Sequence, residues 1–165
     1  MRQIAVFPNI EKEEAPEVLR RIICFFEDKD VRLMVPTEDA AFFHCEEYGV
    51  PDIDEQPMDM ALSIGGDGTL LGNCRRVYKK NVPVCGVNIG TFGFLADIEL
   101  AELESKLEMI LREDYYLEER MVISGLWKAK GKGNGSSATR SMMSSSQRAA
   151  RRGCSSSGLR WTGFA

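Results

Sequence analysis

Met60-Ala61-Leu62-Ser63-Ile64 is an apolar run that stops at Gly65-Gly66-Asp67-Gly68, after which Thr69-Leu70-Leu71 opens a stretch with helical patterning. An apolar run of this length bounded by turn residues is the pattern of a strand buried on both faces, as in parallel sheets. Glycines at its end admit backbone conformations closed to other residues and let N–H groups approach phosphate oxygens. The helix that follows adds the positive end of its dipole. A carboxylate placed there, beside phosphates, is electrostatically costly unless it orients or deprotonates a hydroxyl or helps to hold a metal. A plain tight turn explains the glycines, but not the order strand, turn, threonine, helix. The loop lacks the Gly-Lys-Ser/Thr ending of a P-loop and the G-x-G-x-x-G spacing of a dinucleotide fingerprint.

The flanking chain repeats the alternation. Ile4 to Phe7 reads as a buried strand closed by Pro8-Asn9, and Glu13 to Asp28 as a helix with Val18, Leu19, Ile22, Ile23 and Phe26 at helical spacing. Val31 to Pro36 is a second strand, followed by a short helix around Ala40–Phe43 and a loop from Tyr48 to Pro57. The lone His44 reads as a residue on a partly solvated helix face. Beyond the glycine loop, Thr69 to Tyr78 is a helix that Lys79-Lys80-Asn81 closes, and Val82 to Val87 is the next strand. It runs into a second glycine-bearing loop, Asn88-Ile89-Gly90-Thr91-Phe92-Gly93-Phe94-Leu95. Glu99 to Arg112 is an amphipathic helix with Leu100, Leu103, Leu107, Ile110 and Leu111 on one face, and Tyr115 to Ile123 begins a further strand region. Both glycine loops follow strands, so in an open α/β sheet they line one crevice at the strands' carboxyl ends.

Charge divides the chain. Residues 1–120 hold 13 basic and 25 acidic side chains, whereas residues 121–165 hold 8 basic and no acidic ones. The overall charge of −4 argues against a dedicated nucleic-acid binder. Five scattered cysteines and one histidine support neither a disulfide framework nor a zinc site, and no metal-ligating cluster is expected. The N-terminus lacks the regions of a signal peptide and no apolar run reaches membrane-spanning length, so a cytoplasmic protein without a membrane partner is expected.

Gly65-Gly66-Asp67-Gly68-Thr69 matches the GGDGT signature of the NAD kinases, shared with their diacylglycerol kinase and phosphofructokinase relatives. Asn88 to Leu95 resembles the N-x-G-x-x-G-F-L motif of the NAD kinases themselves, which lipid kinases do not usually show. The resemblance covers roughly residues 1–125. It implies a Rossmann-like open parallel sheet with helices on both faces, and transfer of a phosphoryl group from ATP, or polyphosphate, to the adenosine ribose 2′-hydroxyl of NAD. Asp67 would be the catalytic base or orienting group, with Gly65, Gly66, Gly68 and Thr69 around it. Asn88, Gly90, Gly93, Phe94 and Leu95 would help to seat NAD, and magnesium or another divalent cation would be held largely through nucleotide phosphates. Arg75 and Arg76 are further candidates for phosphate contact. Gly72-Asn73 departs from the basic or polar residue that many members place at position 72. The competing readings are a diacylglycerol- or sphingosine-type lipid kinase and a non-catalytic nucleotide- or nucleic-acid-binding module.

The expected domain spans residues 1–124, and residues 125–165 read as a basic Gly/Ser-rich tail, disordered or out of frame. The family continues into a second, β-rich domain that is not recognisable here, and the homo-oligomer implied by the resemblance is weakened accordingly. Met142-Met143 must be encoded ATGATG. With TCN serine codons and an A ending the Ser141 codon, reading from the third base around Ser141–Ser146 yields Asn-Asp-Val followed by two apolar residues, a motif the family carries at this point. Trp161-Thr162-Gly163 in the same frame forces Asp and permits Gly after it. These readings predict a frame shift between about Gly125 and Gly135, and a chain that is inactive or weakly active.

Overall fold

The computed structural model describes residues 1–90, 95–122, 145–147 and 159–164. Strand β1 (Arg2–Pro8) leads to helix α1 (Ala15–Phe26), strand β2 (Val31–Pro36), helix α2 (Thr37–Phe42) and the two-residue strand β3 (Gly49–Val50). Strand β4 (Met60–Gly65), helix α3 (Asp67–Val77) and strand β5 (Val84–Asn88) follow, then β6 (Ile98–Glu99), α4 (Leu103–Leu111) and β7 (Tyr115–Val122). Two further strands, β8 (Ser145–Gln147) and β9 (Leu159–Phe164), complete the sheet.

The strand order is β3-β2-β1-β4-β5-β9-β7-β8, with β6 also paired to β5. Strands β1 to β6 are mutually parallel, in register Ile4↔Met60 to Pro8↔Ile64 and Ala61↔Val84 to Gly65↔Asn88. This is the expected Rossmann-like sheet. The tail was not expected to hold strands. Instead β9 joins β5 antiparallel and β7 parallel, and β8 joins β7 antiparallel. Polar strands such as Ser145–Gln147 carry no apolar alternation to read, so backbone pairing alone defines them. The remainder of residues 125–165 lies outside the described residues.

Side chains alternate between the faces of the sheet because successive Cβ atoms point oppositely. Ile4, Val6, Met60, Leu62 and Ile64 pack on one face with Val18, Leu19, Ile22 and Phe26 of α1 and Leu103, Leu107 and Ile110 of α4. Ala5, Phe7, Met34 and Ala61 pack on the other with Leu70, Cys74 and Val77 of α3. Each fully buried large side chain contributes about 1.5–3 kcal/mol. Helix α3, which follows the glycine loop, thus sits on the face opposite α1 and α4, with a separate core. Asn73 adds a polar tie to this second face: buried in α3, its Nδ2 donates to Ser63 Oγ at 2.8 Å. Position 73 is therefore structural, and it fixes the roll of α3 against β4.

In the strand order, β1 lies between β2 and β4. The chain winds outward from β1 through β2 to β3, then returns to the other side of β1 to build β4 and β5. That reversal is the topological switch point, and the crevice outside the carboxyl ends of β1 and β4 is where such sheets bind ligands.

Candidate functional site

Strand β4 ends at Gly65, and α3 begins at Asp67, two residues before the expected start at Thr69. Gly66 is the N-cap in extended conformation and supplies no side-chain hydrogen bond. The N-cap thus contributes no hydroxyl or carboxylate of its own, and the start of α3 presents the positive end of its dipole at the crevice. Gly65 is required for a packing reason. A Cβ there would fall 2.5–2.7 Å from the Thr69 side chain, which lies over it. Among the described residues, nothing lies within 4 Å of such an atom at Gly66 or Gly68, so no described side chain covers them.

Asp67 is half-buried at the start of the helix. Its Oδ1 accepts a hydrogen bond of 3.1 Å from the Leu95 N–H. The second loop is joined to the first as the ladder continues: Asn88 registers with Gly65, and the Ile89 N–H donates to the Gly65 carbonyl at 3.2 Å. Gly90 has φ +130°, a conformation that favours glycine. Gly86 admits the return of this loop, since a Cβ there would come within 2.8 Å of Ala96 Cα. Gly65, Gly66, Asp67, Gly68, Thr69, Asn88, Gly90 and Leu95 are thus brought to one end of the sheet. Gly93 and Phe94 lie outside the described residues.

Arg75 and Arg76 are not brought there. They occupy the last turn of α3, about 12 Å along the axis from Asp67 at 1.5 Å per residue. Arg76 pairs with both carboxylate oxygens of Asp54 and stacks 4.7 Å above the Phe7 ring. Their distance from the loop follows from the span of α3, which starts at Asp67 and carries both in its last turn.

A third wall was missed by sequence reading. The turn after β1 is folded on Asn9, whose Oδ1 accepts the Glu11 N–H and whose carbonyl accepts the Lys12 N–H. Asn9 Nδ2 donates to Thr69 Oγ1 at 2.9 Å, and its N–H donates to the Ile64 carbonyl at 2.9 Å. Lys12 Nζ stands 3.6 Å from the position a Cβ on Gly90 would take. The signal was available in topology: the loop after β1 neighbours the loop after β4 only when β1 and β4 are adjacent.

Among the described residues there is no group of three or more His, Cys, Asp or Glu able to hold a metal, and Cys24, Cys45, Cys74 and Cys85 are free thiols. Burial pushes the Cys85 thiol well up, which makes it inert. No helix among the described residues is long and apolar enough to cross a membrane.

This arrangement can be set beside known proteins. Residues 4–115 match the profile of the ATP-NAD kinase N-terminal domain. An NAD kinase of Moorella thermoacetica is 38% identical over 125 residues, covering 76% of this chain and 40% of that protein. One from Natranaerobius thermophilus is 34% identical over 74% of this chain and 43% of its own length. A crystal structure of an NAD kinase from Archaeoglobus fulgidus in complex with ATP covers 74% of this chain and 41% of its own, with TM-score 0.45 and 23% identity. The chain thus spans less than half the length of the curated relatives it matches. With its two glycine loops joined at one end of a parallel sheet and the profile matched across both of them, the chain belongs to the NAD kinase family.

Proposed function

We propose that this chain carries the α/β nucleotide-binding domain, residues 1–124, of an enzyme that transfers a phosphoryl group from ATP to the adenosine ribose 2′-hydroxyl of NAD. The observation that carries the reading is the Asp67 carboxylate, held by the Leu95 N–H between two glycine loops at the switch point of the sheet. A carboxylate so placed orients a hydroxyl and takes its proton, while the positive end of the α3 dipole faces the phosphates. Asn88, Gly90 and Leu95, with Gly93 and Phe94 by family resemblance, line the side on which the NAD ribose is seated.

The donor set suits a divalent cation that arrives with the nucleotide. Among the described residues no cluster of carboxylates, cysteines and histidines forms a cage, and magnesium is commonly held by one or two carboxylates plus substrate phosphates. When bound, the metal would neutralise charge on the transferring phosphoryl group, and Asp67 is the carboxylate of the glycine loop that would help to hold it. The setting is cytoplasmic in this reading.

ATP- and magnesium-dependent conversion of NAD to NADP tests the reading. It is measured on the chain as written and on a version in which the frame after Gly125 is restored. Conversion by the restored protein supports the kinase reading. A folded restored protein that is inert with Asp67 intact overturns it. The domain boundary has its own test, since residues 125–165 as an out-of-frame stretch require Ser144–Ser146 to use TCN codons. AGY codons at these positions would sink the frame-shift reading.

A further inference from the structure

The geometry points to Lys12 as the residue that binds the terminal phosphates of the phosphoryl donor, with Asn9 positioning both Lys12 and Thr69. This rests on the kinase reading above and adds a cationic side chain of the protein to it. A bound triphosphate brings several negative charges to the loop, and the helix end offers only partial positive charge against them. Arg75 and Arg76 lie at the far end of α3, with Arg76 engaged by Asp54.

Lys12 meets the requirement from the other side of the crevice. Its Nζ lies over Gly90, 3.6 Å from the Cβ position, so it stands between the second glycine loop and the turn after β1. Among the described residues no carboxylate forms an ion pair with it, although Glu11, Glu13 and Glu14 are close in sequence. The turn that carries Lys12 is pinned at both ends: the Lys12 N–H donates to the Asn9 carbonyl and the Ala15 N–H to the Lys12 carbonyl. Asn9 Nδ2 holds the Thr69 hydroxyl at 2.9 Å within the first turn of α3. One asparagine therefore sets the spacing between the ammonium and the helix end, the two positive groups between which a phosphate chain would lie. Lysine suits this task as a compact charge on a flexible stem.

The shared chemistry is a run of linked phosphates, supplied by a nucleoside triphosphate or by inorganic polyphosphate. Calorimetric titration of the full-length chain with ATP, inorganic tripolyphosphate and adenosine separates the contributions. Lys12→Ala is expected to weaken ATP about tenfold, the factor equivalent to roughly 1.4 kcal/mol, while adenosine stays within about twofold. Lys12→Arg should retain most of the ATP affinity. A parallel loss on tripolyphosphate identifies the phosphate run as the ligand, and a loss on ATP alone ties the site to the nucleotide. Unchanged ATP and tripolyphosphate affinity in Lys12→Ala, or an equal loss of adenosine, overturns the assignment and leaves the kinase reading standing. Failure of the unaltered chain to bind either ATP or tripolyphosphate also overturns the assignment, while the kinase reading is decided by NADP formation in the frame-restored protein.

Discussion

Leu95 donates its backbone N–H to Asp67 Oδ1 at 3.1 Å across 28 positions of sequence, and so ties the loop after β5 to the carboxylate after β4. The bond asks only for an acceptor oxygen, which separates the structural part of Asp67 from its chemical part. Asp67→Asn keeps an oxygen for Leu95 but cannot take a proton or carry full charge. Phosphoryl transfer to NAD is expected to fall by about 10²–10⁴, the usual span of general-base contributions, while the thermal midpoint barely moves. Steady-state NADP formation and thermal melting, performed on a form that converts NAD, check the two halves. Activity within about tenfold of the parent would remove Asp67 from the chemistry.

The three glycines of the first loop separate by role. Gly65→Ala drives a Cβ into the Thr69 side chain at 2.5 Å. Something must shift, so a destabilisation of about 1–3 kcal/mol is expected, as for other overpacked sites. Gly66→Ala meets nothing within 4 Å and should fold normally, yet its methyl stands where a phosphate would approach the N–H groups. Denaturant melts and ATP titrations of both variants decide this. Loss of stability in Gly66→Ala equal to that in Gly65→Ala would contradict the division.

The central strands and helices were legible because a parallel sheet writes its buried strands as unbroken apolar runs and its helices at 3.6-residue spacing. Val18, Leu19, Ile22 and Phe26 are buried as their spacing required, and so are Leu103, Leu107 and Ile110. The first glycine loop was legible from the order strand, glycine turn, threonine and helix, which an ordinary turn does not require. Asn9 and Lys12 were not legible, since their proximity to Thr69 and Gly90 depends on strand order. Gly49–Val50 and Ile98–Glu99 are too short to show any period. The part played by Asn73, a hydrogen bond to buried Ser63, belongs to packing and leaves no mark on the apolar pattern.

Arg76 provides a control for the phosphate site. It is paired with Asp54 at partial exposure, 37% against 46%, and lies over the Phe7 ring. Arg76→Ala is expected to change stability by no more than about 1 kcal/mol, the ceiling for most exposed pairs. It should leave ATP affinity unaltered. Titration of this variant beside the parent would return Arg76 to the site if affinity dropped as a phosphate ligand demands.

The contact between α1 and α4 gives stability a defined acid limb. Arg21 Nε and Nη2 donate to the two Glu104 oxygens at 2.8 and 2.7 Å, and Nη2 also reaches the Leu100 carbonyl. The hydrogen bond from Arg21 holds the Glu104 carboxyl below its ordinary value of 4.5. A depressed carboxyl stabilises the fold fully above the unfolded value, and that contribution is lost as pH falls through the folded one. Asp39 has the opposite sign: burial raises its carboxyl, with Arg76 partly opposing, so the charged form disfavours the fold near neutrality and protonation relieves it as pH falls. Glu104→Gln should therefore lose about 0.5–1 kcal/mol at pH 7, given how exposed the pair is, and show a shallower loss of stability between pH 5 and strong acid than the parent. Asp39→Asn should gain stability near neutrality and show a steeper acid loss than the parent. Urea unfolding of the three proteins at pH 7 and on the acid limb measures both slopes, and parallel curves for parent and Glu104→Gln would show that the α1–α4 ion pair contributes nothing to the fold.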